Sequence, residues 1–180
     1  MDGEPLPAIE SLEVRGAPTW SPDGQWIATG GNDGTGDGLF KVPVSGGPPV
    51  RLADGLAFSP VWARTRPLIV YAGPNVNAEQ RLLAVSPDGK PVDFPAISTY
   101  GEGILHRLTP DDKSLIYVGR SGVEAEFTTL DLDTNKRRVV GHFNARQVRA
   151  FDVTPDGKRL VFDVIQQNSD IYLIDRRALD

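Results

Sequence analysis

His106 and His142 are the only histidines, and the chain has no cysteine. Neither histidine has a metal-spaced partner, and no Gly-x-Ser-x-Gly elbow offers a nucleophile. The sequence therefore predicts no catalytic residue, no metal and no cofactor. The tract Gly30 to Gly38 carries Asp33 and Asp37, oxygen donors of the kind calcium takes. A calcium-binding Gly/Asp repeat needs tandem copies, and this one irregular copy reads as a loop. What remains are residues that bind rather than react. Arg107 and Asp152 lie 45 positions apart (152 − 107), each just before an apolar residue, Leu108 or Val153. Polar or acid-bearing stretches recur as well, with Asn75 and Asn77, Glu124, and Gln167 and Asn168.

The spacing of these residues follows from a repeat. Ser21-Pro22-Asp23-Gly24, Thr109-Pro110-Asp111-Asp112 and Thr154-Pro155-Asp156-Gly157 each stand between two apolar runs. Proline fixes φ for the second position of a type I turn, and glycine is favoured at the fourth. Each copy therefore predicts a β-hairpin. The turn prolines at 110 and 155 are 45 apart (155 − 110), and those at 22 and 110 are 88 apart (110 − 22), about two periods of 44. A fourth copy falls near residue 66. There the strands Val61-Trp62 and Leu68 to Tyr71 survive around a degenerate turn, Arg64-Thr65-Arg66-Pro67. Ser86-Pro87-Asp88-Gly89 is out of register, so it belongs to a different hairpin of the second repeat.

Several short strands per period of about 45 residues signal a β-propeller, one blade per period. The segments PTWSPDGQWIATGGNDGTGDGLFKVPVSGGPPVRL and FDVTPDGKRLVFDVIQQNSDIYLIDR resemble the WD-like propeller repeats of the TolB family. Similar repeats occur in the propellers of prolyl-oligopeptidase-type peptidases and in sensor-like propellers of bacterial regulators and membrane-linked kinases. The resemblance implies an all-β fold, a β-propeller of four WD-like, four-stranded blades. The expected blades are 17–55, 56–100, 101–145 and 146–180, with a lone N-terminal strand, 9–14, completing the last blade. In the second blade the fourth strand falls at Val92-Asp93-Phe94. In the last, Asp170 to Ile174 is the third strand, and no fourth follows.

Trp20, Trp62, Leu108 and Val153 share one repeat position and are expected to pack between blades. Strand alternation then turns Arg107 and Asp152 away from that core, toward each other at the central tunnel. The loops at Asn75, Asn77, Glu124, Gln167 and Asn168 fall on one face of the disc. Loops held by rigid strands are where binding groups sit, so the loop face and the tunnel are the candidate partner sites. The function that follows is a non-catalytic protein-interaction or ligand-sensing module. The alternative is the propeller of a hydrolase or peptidase, gating a catalytic domain absent from this chain. A net charge of −5 disfavours nucleic acid. No signal peptide opens the chain and no run suits membrane insertion, which leaves periplasm and cytoplasm equally open. Four blades are few for a ring, so a homodimer forming an eight-bladed ring is a further expectation.

Overall fold

The hydroxyl and aspartate of the repeat each have a task in the computed structural model, which describes residues 11–77, 79–100, 103–121, 124–143 and 148–164. The turns close by i+3 backbone bonds, Gly24 N to Ser21 O at 3.0 Å and Gly157 N to Thr154 O at 2.7 Å. The Ser21 hydroxyl donates to Asp23 at 2.5 Å and accepts the Trp26 N–H at 2.9 Å. Thr109 and Thr154 make the same two bonds in their own turns. These hydroxyl bonds, with a backbone N–H second, hold Asp23, Asp111 and Asp156 below the usual carboxylate pKa.

The hairpins extend into three four-stranded antiparallel sheets with strands in sequence order. The first holds β1 (Glu13–Trp20), β2 (Trp26–Asn32), β3 (Asp37–Pro43) and β4 (Val50–Asp54). The second holds β5 (Phe58–Trp62), β6 (Ile69–Val76), β7 (Glu79–Val85) and β8 (Ser98–Tyr100). The third holds β9 (His106–Leu108), β10 (Ser114–Ser121), β11 (Glu124–Asp131) and β12 (Arg137–Phe143). β13 (Phe151–Val153) and β14 (Leu160–Phe162) form the described hairpin of a fourth. The described residues contain no helix.

Period-2 alternation loads both faces of each sheet, which is how blades stack. β6 sends Ile69 and Tyr71 into a cluster with Ala28 and Leu39 of the first blade. It sends Val70 and Ala72 into a cluster with Leu115 and Tyr117 of the third. Ile116 and Val118 then meet Phe151 of the fourth, beside Phe127. Phe127 stands edge-on to Phe143 and Phe151, with centroids 5.7 and 5.4 Å away, a favoured aromatic geometry. The blades thus form one arc with a separate apolar layer at each junction.

Three expectations need correction. The Gly30 to Gly38 loop is only 33–36, because β2 and β3 pair up to Asn32 and Asp37; glycine permits the close packing there that a side chain would block. The fourth strand of the second blade is at 98–100 rather than 92–94. The Ser86 to Gly89 turn leads only to an isolated Val85–Pro91 bridge, after which Pro95 can supply no ladder N–H. Finally, Glu13 and Val14 pair with Asn32 and Gly31 inside the first sheet. They begin β1 and do not complete the last blade, since a register shift between Arg15 and Thr19 lets one strand span both segments. Residues 9–10 and the expected strand Asp170 to Ile174 lie outside the described residues.

Candidate functional site

The innermost strands β1, β5, β9 and β13 converge on a single cavity of about 840 Å³. It opens at the end where the Pro-Asp turns lie, lined by Trp20, Trp62, Arg64, Arg107, Asp112 and Asp152 among others. A second cavity, about 380 Å³, shares Trp62 and Arg64 and adds Trp26 and Lys41. All three tryptophans of the chain therefore gather at one end of the blades. Lys41 lies over the Trp26 ring, 4.7 Å from its centroid, and donates to the Pro87 carbonyl at 2.7 Å, tying the first blade to the second.

Arg107 and Asp152 meet in this funnel, Nε to Oδ1 at 3.6 Å. The pair is lopsided. The Arg107 side chain is 25% exposed and that of Asp152 79%. Burial lowers the Arg107 pKa, and the Asp152 charge opposes that shift. Arg107 Nη1 also donates to the His106 carbonyl at 3.1 Å, so part of the guanidinium fork is left over for a ligand. Arg64 stands exposed at the same mouth and has no ion-pair partner among the described residues. Two guanidiniums in one cavity that Trp20 and Trp62 also line suit an acidic group carried on an apolar body.

Arg64 owes its place to Asp112. The degenerate turn of the second blade has no Ser/Thr-Pro-Asp lock of its own. Asp112 replaces it, accepting the Thr65 N–H at 2.5 Å and the Thr65 hydroxyl at 2.9 Å. Arg66 adds a bond to Asp133 at 2.6 Å. The third blade thus holds the segment that presents Arg64.

The histidines lie elsewhere. His106 is buried at 1% exposure, and its Nε2 has no hydrogen-bond partner. Burial first, then the Arg107 charge, push its pKa down to about 4. His142 sits on the outer strand β12, its Nδ1 3.8 Å from Glu126.

The sequence-predicted site residues divide between two ends. Arg107 and Asp152 are in the funnel. Asn75 is the penultimate residue of β6, six residues past Ile69 and roughly 20 Å along the strand from the turn end. Asn77, in the left-handed region at φ 54°, shares that far end. Glu124 lies in β11 rather than in a loop, and its pairing with Ser121 places it at the far end too. Gln167 and Asn168 lie outside the described residues. Of the shared repeat position, Trp62, Leu108 and Val153 flank the inter-blade clusters as expected. Trp20 does not, at 60% exposure, because no described blade precedes the first. Sequence reasoning missed Arg64 and the Thr65–Asp112 clamp. The signal was the pairing of a degenerate turn with an aspartate in a glycine position.

Blades, inner strands and an axial cavity define a β-propeller fold. The WD40 family model (WD domain, G-beta repeat) matches residues 9–35. The fold is similar to TolB from Acinetobacter baumannii, with TM-score 0.64 and 16% identity over 86% of this chain and 38% of that one. It is also similar to oligogalacturonate lyase from Vibrio parahaemolyticus, with TM-score 0.62 and 15% identity over 90% of this chain and 50% of that one. A chain of the nidogen/laminin complex matches at TM-score 0.62 and 12% identity, over 87% of this chain and 58% of that one. This chain thus spans between 38% and 58% of the length of these structures.

Proposed function

We propose that the chain is a non-catalytic binding module whose funnel takes a protein or small ligand bearing an acidic group. The carrying observation is the cavity that all four blades line and to which the second and third contribute Trp62, Arg64 and Arg107. Binding sites favour concave places with aromatic walls and a few placed polar groups, and Trp and Arg dominate interface energetics. The polar side chains that line the funnel are charged ones suited to binding, Arg64, Arg107, Asp112 and Asp152, beside the hydroxyls of Thr19, Ser21 and Thr109. Tryptophan fluorescence titration with acidic peptides, sugar acids and their neutral counterparts tests this reading. A responding compound should bind at least tenfold more weakly to Arg64→Ala and Arg107→Lys, and unchanged to Asn75→Ala and Asn77→Ala. Loss confined to the asparagine variants would move the site to the other end of the blades. Ester or peptide turnover abolished by one Ser or His substitution would overturn the non-catalytic part.

A further inference from the structure

Lys41 is half-buried, yet its charge is unmatched. Its ammonium donates to the Pro87 carbonyl and lies over the Trp26 ring. An ammonium has three donors, so donors remain for a further acceptor. Among the described residues Lys41 has no ion-pair partner. Taking a cation partly out of water without an anion is unfavourable. The cavity of about 380 Å³ that Lys41 lines also holds Arg64, likewise without an ion-pair partner among the described residues. Arg66 lines it too, with its Nη2 on Asp133 at 2.6 Å. Asp23 is the acid in the lining, and its carboxylate already accepts from the Ser21 hydroxyl and the Gln25 N–H. An incoming acid therefore meets two unmatched cations in this groove.

The groove is continuous with the funnel through Trp62 and Arg64, which line both. Arg107 lines only the funnel and Lys41 only the groove. The three basic residues come from successive blades, Lys41 from β3, Arg64 from the turn after β5 and Arg107 from β9. They form a basic track along the turn end of a chain whose net charge is −5. Each cavity alone has the size of a ligand site, so a ligand that reaches both Arg107 and Lys41 is long. Between those two residues the shared wall includes Pro22 and Trp62. That wall suits an apolar side chain. A sugar acid would bring hydroxyls there, and burying hydroxyls without partners is costly.

We propose that the ligand is an extended acidic peptide, with one carboxylate at Arg107, an apolar residue against Trp62 and a second carboxylate at Lys41. This rests on the funnel reading above and adds the groove as a second anchor. Two anchors on one chain make the second contact intramolecular, which raises affinity without changing the first.

Isothermal titration calorimetry on the 180-residue chain tests it. The probes are capped peptides with two aspartates, a central leucine and a Gly/Ser spacer of about two to ten residues, and counterparts with one aspartate replaced by asparagine. The best two-acid peptide should bind about tenfold or more tighter than its counterparts, and the advantage should peak at one spacer length. Lys41→Met should remove that advantage and Lys41→Arg keep it. Arg107→Lys should weaken one-acid and two-acid peptides alike. The spacer series needs no variant, so it decides even where Lys41→Met fails to fold. If Arg107→Lys weakens the one-acid peptides but the second acid adds nothing at any spacing, the funnel reading stands and the groove anchor falls. If neither Arg107→Lys nor Lys41→Met changes any affinity, both fall. A linear oligo-uronate that depends on Lys41 where the peptides do not would overturn the peptide assignment.

Discussion

Asp112 occupies the position where two other repeats place glycine. Its φ of 54° matches Gly24 at 68° and Gly157 at 70°, a region that costs an L-residue roughly 1–2 kcal/mol. The clamp on Thr65 offsets that cost. Removing the carboxylate while keeping a Cβ should therefore be worst. Asp112→Ala is expected to destabilise by about 2–4 kcal/mol, combining a lost charge-assisted bond with unrelieved backbone strain. Asp112→Gly should cost about 1 kcal/mol less, because it relieves the strain. Urea denaturation of the two variants checks the order. Trp62 teaches a related lesson about position. The repeat alone places it fully in the core, which predicts a loss of about 3–5 kcal/mol for Trp62→Ala. It is half-buried, with one face on the Ala28 cluster and the other lining the funnel. The expected loss is therefore about 2–3 kcal/mol by the same measurement. His106 gives a pH dependence. Its native pKa falls from 6.5 to about 4 because burial disfavours the imidazolium. Between those values the unfolded chain binds a proton that the native chain does not. Stability therefore rises with pH across that window, and acidification removes it. A shift of this size in a fully buried group is worth on the order of 3 kcal/mol. His106→Gln should flatten the stability profile between pH 4 and 6.5, read as urea midpoints. An unchanged slope would mean another group titrates there.

At the scale of the element, the apolar junction between the first two blades narrows at one point to a contact of backbones. A Cβ on Gly30 would run into the Ala57 carbonyl, and one on Gly31 would crowd Glu13 O at 2.8 Å and Leu12. β2 approaches the start of β5 so closely that only glycine fits. Gly30→Ala should therefore cost more than 3 kcal/mol or prevent folding, whereas Gly34→Ala should be mild. Its loop site leaves open space, and the cost there is confined to φ +87°. Thermal melts of the two variants separate packing from backbone conformation. Gly30 and Gly31 also show why a Gly/Asp tract misreads as a loop. Glycine signals turns by its φ preference, but here it marks close approach inside strands. Asp33 looks like a cation ligand in sequence and has a cation from this chain, Arg51, whose Nη2 lies 2.7 Å away. The Arg51 fork also reaches the Gly36 carbonyl, closing the loop. Three inner hairpins were legible because Ser/Thr-Pro-Asp is a local signal with local bonds, and the fourth because it falls at their period. The funnel's Arg107–Asp152 pair was legible because it repeats at that period. The short β8 was not, because a three-residue strand follows a long irregular connection with no turn residue to announce it. Arg64 was not, since its placement depends on a bond from residue 112 of another blade.

For the molecule as a whole, stability should be graded along the arc. Among the described strands the main contacts between blades run between neighbours, so the arc should behave as a one-dimensional array in which junctions add nearly independently. The second blade has apolar layers on both faces, shared with Ala28 on one side and Leu115 on the other. The third likewise has layers toward Val70 and Phe151. Each end blade has one such junction within the described arc. Amide hydrogen exchange should then be slowest in β6 and β10 and faster in β2 and β14, since opening an end blade breaks one junction and opening a middle blade breaks two. Exchange in β2 as slow as in β6 and β10 would show that the covered outer face of the first blade, where Phe40 and Val42 are buried, stabilises it as much as a second junction does.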